Sequence, residues 1–348
     1  MRDRRVRVAW CCKWLPPQGE DVVAAEALNL RSTTVAALGR LSPAQATERL
    51  LHLTRANLGA LQAQIGFAAA RPPIERALRI GSNLLPLYSH PVARPLYREP
   101  ALREATERGL GAAGRLARRA GVRLSMHPGQ FTVLATESES VLRSTLEEIE
   151  YHADVMRLLG LAGGWHPDGA HINVHGGARG PGVAGFRAGF ALLSEDARNL
   201  LTVENDEVVY GLDDLLPLAD LLPIVLDLHH HWVRSEGEHI RPDDPRIATV
   251  RESWRGVRPM GHISAPRREL MPDQPDGGMP DFARLIGSGV SARELRAHSD
   301  RLWSPAIVAW AASHLTWTDL EIEAKHKNIA SAEFARAVTP PGCGRHRR

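Results

Sequence analysis

Short stretches in which apolar and polar residues alternate are separated along this chain by longer ones in which apolar residues recur every three or four positions. A two-residue period marks a strand with two unlike faces, and a 3.6-residue period marks a helix with one apolar stripe. The two patterns take turns in the order expected of βα units around a parallel sheet. Eight strands are predicted: Arg5 to Trp10, Ala77 to Ser82, Val122 to His127, His171 to His175, Leu200 to Glu204, Pro223 to Asp227, Met260 to Ser264 and Leu320 to Glu323. Helices are predicted over Pro43 to Gln64, where Leu50, Leu53, Leu58 and Leu61 keep near-helical spacing, over Glu99 to Ala120, and over Glu137 to Leu159. Gly121 is placed to close the second of these as a C-cap. The Gly- and Pro-rich stretches Gly176 to Gly185 and Ala265 to Pro280 directly follow strands and are expected as loops over the mouth of a barrel. The pattern therefore specifies an α/β chain: a single (β/α)8 TIM barrel over residues 1–330, then a basic tail, 331–348, expected to be disordered.

Composition narrows the class. The 348 residues, 43% hydrophobic and 24% charged, suffice for a large core and exclude a collagen-like or disordered chain. Three cysteines cannot form a disulfide framework, and the adjacent pair Cys11 and Cys12 points to a reducing compartment. With no run of eighteen apolar residues and no secretory pattern after Met1, a cytoplasmic protein without membrane contact is expected. A net charge of +3 suits an anionic partner without being a nucleic-acid footprint. Lysine occurs only at positions 13, 325 and 327, and sixteen histidines outnumber six phenylalanines and four tyrosines. Histidine is the commonest ligand of transition metals.

Strand periodicity then sorts the ionisable residues. Ser125 and His127 alternate with Leu124 and Met126; His171, Asn173 and His175 with Ile172 and Val174; Thr202 and Glu204 with Leu201 and Val203. Val225 and Asp227 lie opposite Ile224 and Leu226, His262 and Ser264 opposite Ile263, and Glu321 and Glu323 opposite Leu320 and Ile322. On six strands a histidine or carboxylate thus faces inward at the carboxyl end, where (β/α)8 barrels place their active sites. One buried histidine is ordinarily a hydrogen-bonded core residue; several carboxylates and histidines, His230 included, cannot share a dry pocket as bare charges. Bound cations remove the difficulty. Mixed imidazole and carboxylate ligation suits zinc, manganese or iron, and a central carboxylate such as Glu204 can bridge two ions. Paired metals suit phosphodiester hydrolysis, and similar barrels use them for sugar isomerisation or oxidation.

These residues resemble the UV damage endonucleases, DNA-repair enzymes of the xylose isomerase-like TIM barrel group. The resemblance runs from about Arg79 to Ala330. It is carried by the order of Arg79-Ile-Gly-Ser-Asn-Leu-Leu-Pro-Leu-Tyr-Ser-His90, Leu124-Ser-Met-His-Pro-Gly-Gln-Phe-Thr-Val133, Glu150-Tyr-His-Ala153, His175-Gly-Gly177, Val203-Glu-Asn-Asp206, Asp227-Leu-His-His-His231, His262-Ile-Ser264 and Glu321-Ile-Glu-Ala-Lys325. It implies cleavage of damaged double-stranded DNA on the 5′ side of a lesion by a Mn2+-type cluster, with Zn2+ or Fe2+ as alternatives, in a monomer. It implies that His127, His175 and Glu204 hold one ion, that Glu204, Asp227, His262 and Glu323 hold another, and that His230 serves a third. Glu204, Glu323 and Lys325 become the catalytic candidates. Gln130, Phe131, Trp10 and Asn83 become the candidates for DNA or lesion contact, an aromatic there substituting for lost base stacking.

The chain departs from the family at several places. Met260 stands where a modified lysine is usual, Met279 and Pro280 precede Asp281-Phe282 where a histidine for the third ion is expected, and Trp10 and Trp14 replace a Gly-Tyr pattern and an asparagine. Two ions are therefore expected, with a third only if Asp273, Asp276 or Asp281 substitutes. Trp10, Trp14 and Lys13 form either a stacking platform for nucleic acid or ordinary barrel packing. Lys325 neutralises either a phosphate or the nearby Glu321 or Glu204. Cys11 and Cys12 serve either a soft metal or packing, and Phe131 is either a lesion probe or loop packing. The alternative to a repair endonuclease is a diverged barrel of the same kind acting on a small molecule, as a sugar isomerase-like or metal-dependent oxidative enzyme. Salt-sensitive DNA affinity separates the two.

Overall fold

Eight parallel strands wind into one barrel: β1 Val8–Cys11, β2 Ala77–Ile80, β3 Arg123–Met126, β4 His171–His175, β5 Leu201–Glu204, β6 Ile224–Val225, β7 Met260–Ile263 and β8 Asp319–Ile322. The computed structural model describes residues 5–17, 22–271 and 277–339. Hydrogen-bonded neighbours follow the order β6-β5-β4-β3-β2-β1-β8-β7. The circle closes between β6 and β7, where Asp227 and His262 pair as a parallel bridge and the His262 N–H donates to Leu226 O at 2.9 Å.

All eight predicted strands are present; the first begins three residues later than predicted and ends one later, the eighth is shifted back by one, and several others are shorter by one or two residues at an end. The sixth is cut hardest. Pro223 has no N–H to give the ladder, and Asp227 leaves it to cap the helix Leu228–Arg234. The helix Pro43–Ala69 runs five residues past the predicted end, because Ile65 and Ala68 continue its buried stripe. Gly121 ends the helix Pro100–Ala120 in the left-handed region (φ 64°), with the Val122 N–H returning to Ala117 O at 2.9 Å. The expected loop 176–185 already contains the start of the helix Gly182–Ala191.

The boundary at 330 is corrected. Residues 327–338 form the helix Lys327–Val338, with Phe334 and Ala335 buried against the barrel, so the domain extends past the proposed tail start. Positions 340–348, and Asp273 and Asp276, lie outside the described residues.

Outward-facing Leu, Ile and Val of the strands meet the helices in one core that surrounds the barrel. Inside it, Ala9, Ala77, Val225, Met260 and Trp254 form a small apolar layer. At the amino-terminal end Asp319, fully buried, accepts from the Arg7 main-chain N–H (2.8 Å), Arg123 Nη1 (2.9 Å) and Arg258 Nε (2.7 Å). The opposite, carboxyl-terminal end collects the histidines and carboxylates. Among the described residues no helix is long and apolar enough to cross a membrane.

Candidate metal centre

Glu204 ends β5 with its carboxylate at the centre of the mouth, and it has no solvent exposure. His175 is its register partner on β4. His127, just beyond β3, brings Nε2 to 3.0 Å from Glu204 Oε2, and His262 on β7 brings Nδ1 to 3.0 Å from Oε1. His230 Nδ1 lies 3.4 Å from Oε1. The Asn173 amide donates to Oε2 and is itself oriented by Thr202, whose hydroxyl donates to Asn173 Oδ1 at 2.9 Å.

Three ligand groups share this one carboxylate. His127, His175 and Glu204 form the first, Glu204, His262 and Glu323 the second, and Glu204, Asp227 and His230 the third, with the offered atoms of each group within 4.8 Å of one another. The expected four-residue set around a second ion is thus divided, and His230 joins Asp227 and Glu204 rather than standing apart. A fourth group, Cys11, Glu321 and Glu323, borders the second through Glu323.

Local sequence explains the aim of each side chain. Asp227 is the N-cap of Leu228–Arg234, and its Oδ1 accepts from the His230 N–H at 2.7 Å. One turn of helix then carries His230 back over the mouth. His229 instead stacks on Trp232 with ring centroids 5.9 Å apart, and His231 meets Glu238 at 3.1 Å, so one histidine of the run of three faces the centre. Asn205 locks the same turn, donating to Asp227 O (3.0 Å) and accepting from the Asp227 N–H (2.9 Å).

Two buried atoms carry no hydrogen-bond partner here: Asp227 Oδ2 and His175 Nδ1. Buried polar atoms are nearly always satisfied, so these orphans, beside imidazoles and carboxylates in a dry pocket, fit divalent-ion ligation. Burial pushes the Asp227 carboxyl up and the His175 imidazole down. Burial also opposes ionisation of Glu204, but the His262 charge and hydrogen bonds from His127, His230 and His262 outweigh it and hold this carboxyl well below the usual range. His262 is raised to about 9, burial being overridden by Glu204.

Other predicted residues divide by exposure. Phe131, four residues past His127, is 84% exposed, and Gln130 and Asn83 are exposed beside it in sequence and on the loop after β2. Trp10 is corrected as a DNA contact: it is 2% exposed and points out of the barrel, edge-on to Phe67 at 6.3 Å. Trp14 packs on the same ring at 5.7 Å. Lys325 does not make the expected salt bridge to Glu321 or Glu204, and this leaves its reading as a phosphate contact untouched. Its amine lies 3.8 Å from Asp300 Oδ1, half exposed, and makes no contact with Glu204, Glu321 or Glu323 among the described residues. Cys11 is buried and donates to Glu321 Oε1 at 3.3 Å. Asp281 caps the helix Phe282–Gly287, accepting from the Arg284 N–H at 3.0 Å. Met260 sits in the apolar layer below His262.

Arg79 escaped the sequence reading, although Leu78 and Ile80 face outward and so put it inside. Its guanidinium pairs with both Glu321 and Glu323. Abundant arginine elsewhere hid the signal.

The parallel barrel, with a shared carboxylate and converging imidazoles at its carboxyl-terminal mouth, places the chain in the xylose isomerase-like TIM barrel class, with side-chain clusters able to bind metal ions. Residues 21–339 match the family described as UV-endonuclease UvdE, and the chain belongs to that family. It is 32% identical over 284 residues to the UV-damage endonuclease of Neurospora crassa, covering 77% of this chain and 38% of that protein. Identity to the Schizosaccharomyces pombe UV-damage endonuclease is 31% over 269 residues, covering 74% and 40%. The chain thus spans about two fifths of these fungal relatives. A Bacillus cereus UV DNA damage endonuclease is 25% identical over 320 residues, with 86% of each chain covered. The crystal structure of SacUVDE superposes with a TM-score of 0.71 at 22% identity over 96% of this chain and 98% of that one, showing the same fold.

Proposed function

We propose that this chain is a metal-dependent repair endonuclease that nicks UV-damaged double-stranded DNA on the 5′ side of the lesion, using two Mn2+ ions or, in their place, Zn2+ or Fe2+. The observation that carries the reading is the position of Glu204, a fully buried carboxylate common to three ligand groups. His127, His175 and Glu204 would hold one ion, with Glu204, His262 and Glu323, or Glu204, Asp227 and His230, holding the next. Ions held there supply Lewis-acid stabilisation of the charge that develops on phosphoryl oxygens in hydrolysis.

The chain's own residues do the rest. Phe131 and Gln130 project from the mouth and enter the duplex at the weakened stack, the aromatic face replacing lost base stacking. Arg179 after β4 and Arg267 after β7 stand at the same end of the barrel and hold backbone phosphates. Asn173 keeps the Glu204 carboxylate from rotating and so holds its two oxygens toward the histidines of the groups that would bind the ions.

Elemental analysis of the purified protein, run beside nicking of UV-irradiated and untreated plasmid with Mn2+, tests the proposal. About two equivalents of metal, with nicking that requires irradiation and is lost in Glu204→Gln, is the expected result. Metal bound without nicking of either plasmid overturns the DNA substrate and points to a small molecule. No metal overturns the centre itself.

A further inference from the structure

Arg79 introduces a fixed positive charge into one edge of the centre. It rises from β2 between Cys11 on β1 and Ser125 on β3, its register partners. Nε pairs with Glu321, and Nη2, 3.3 Å from His262 Nε2, pairs with Glu323 Oε1 while lying 3.4 Å from His262 Nδ1. Those last two atoms are also 3.2 Å from each other, and His262 Nδ1 is the one facing Glu204 Oε1 at 3.0 Å. The guanidinium therefore addresses the donor atoms of the second ligand group. Among the described residues it makes no contact with His127 or His175.

Glu321 anchors this arrangement. It accepts from Cys11 Sγ and from Ser125 Oγ at 3.2 Å, so it is held toward Arg79 by neutral groups and is absent from every group that contains Glu204. Side-chain exposure is 10% for Arg79 and zero for Glu321, so solvent screens the charge weakly. Arginine stays protonated in such a site.

We propose that Arg79 is a resident cation that competes with a divalent ion for Glu323 and His262, making the Glu204–His262–Glu323 position the weaker, exchangeable one and leaving the His127–His175–Glu204 position tight. The competition is electrostatic and local: a guanidinium within hydrogen-bond range of two of three donor atoms opposes a dication there and reaches the other group only at longer distance. Arg79 is thus a positioning residue that sets the order of loading. The inference rests on the metal-centre reading above.

The test is calorimetric titration of Mn2+ into chelator-stripped protein, with bound metal counted by elemental analysis. The parent should show two affinity classes separated by about tenfold or more. Arg79→Met should tighten the weaker class by about tenfold and leave the tighter one unchanged, while Arg79→Lys, which keeps the charge, should stay within about threefold of the parent. Equal classes in the parent overturn the proposal without any variant, which keeps it testable if Arg79→Met does not fold when stripped. A weaker class that loosens in Arg79→Met shows that Arg79 holds Glu323 in place for the metal, and also overturns it. Absence of Mn2+ binding in the parent defeats the metal-centre reading instead.

Discussion

Asp227 and His262 face each other across the seam where the barrel closes, joined as a parallel bridge with the His262 N–H on the carbonyl of Leu226 at 2.9 Å. Both side chains belong to ligand groups that share Glu204. Register at the seam and the alignment of these two groups are therefore coupled: strands β6 and β7 cannot dock out of register without separating them.

Asp227→Asn separates the two duties of this carboxylate. The amide oxygen still accepts from the His230 N–H, so the helix start survives, while the charge of Oδ2, which has no hydrogen bond and lies 3.8 Å from His230 Nδ1, is removed. Melting of the stripped protein should change by less than about 1 kcal/mol, because the lost carboxylate was disfavoured by burial. Bound Mn2+ should fall by about one equivalent on elemental analysis if the Glu204–Asp227–His230 group holds an ion, and stay at the parent's value if the second ion sits at Glu204–His262–Glu323. An unchanged metal content would remove Asp227 from the ligand set.

Phe131→Ala should leave stability within about 0.5 kcal/mol of the parent, since a ring 84% exposed buries almost nothing. Affinity for irradiated duplex should drop by roughly 1–3 kcal/mol, the range of a lost base–aromatic stack. Fluorescence anisotropy with irradiated and intact duplexes reads both. An equal loss for the two would make Phe131 a general DNA contact rather than a lesion probe.

Acid should unfold this protein from near pH 6.5 downward. Burial lowers the imidazoles of His166, to about 3, and His314, to about 4; each donates to a main-chain carbonyl, His166 Nδ1 to Ala170 O at 3.0 Å and His314 Nε2 to Ile240 O at 3.1 Å, and His314 Nδ1 accepts from Trp317 Nε1 at 3.2 Å. The folded values lie below the unfolded one, so between pH 6.5 and the folded value the unfolded chain binds more protons and stability falls as pH falls. Each histidine should subtract about 2 kcal/mol at pH 5. Urea melts at pH 7.5 and pH 5 should show the loss, and His166→Gln with His314→Gln should reduce it. An identical pH slope in the double variant would assign the effect elsewhere.

Asp319→Asn should cost about 3–5 kcal/mol, because this fully buried carboxylate is the shared countercharge of the buried Arg123 and the partly buried Arg258. Nicking per folded molecule at low temperature should stay close to the parent, since Asp319 lies at the opposite end of the barrel from Glu204. Urea melts and active-fraction-corrected rates check the two halves. A loss of activity without a loss of stability would contradict this division.

Period-two alternation made most of the barrel legible, because a closed sheet has one inside and ligands must be on it. His171–His175 carries its whole assignment in five residues, and His127, His175, Glu204, Asp227, His262 and Glu323 converge as their parity requires. Parity fails where the strand ends. Lys325 lies three residues past Ile322, in a turn, and so points to Asp300. Trp10 was legible by the same rule, since small Ala9 and Cys11 flank it and take the interior. His230 lies outside any strand and is aimed by a helical turn that Asp227 initiates, a cap visible only once the strand is known to stop at Val225.

The segment that carries Phe131 is fastened at both ends. It begins at His127 and ends at Ala135, which bridges to Gly177 beside His175 and accepts from the Ala178 N–H at 2.8 Å. Gly177 holds φ 107°, and a side chain there would press on the Ala135 main chain at 3.0–3.1 Å. The span from 127 to 135 thus behaves as a clasp between two ligand-bearing strands, and its length is set by their spacing. Lengthening or shortening it cannot retune the contact with DNA alone; the change would be felt at the imidazoles it fastens.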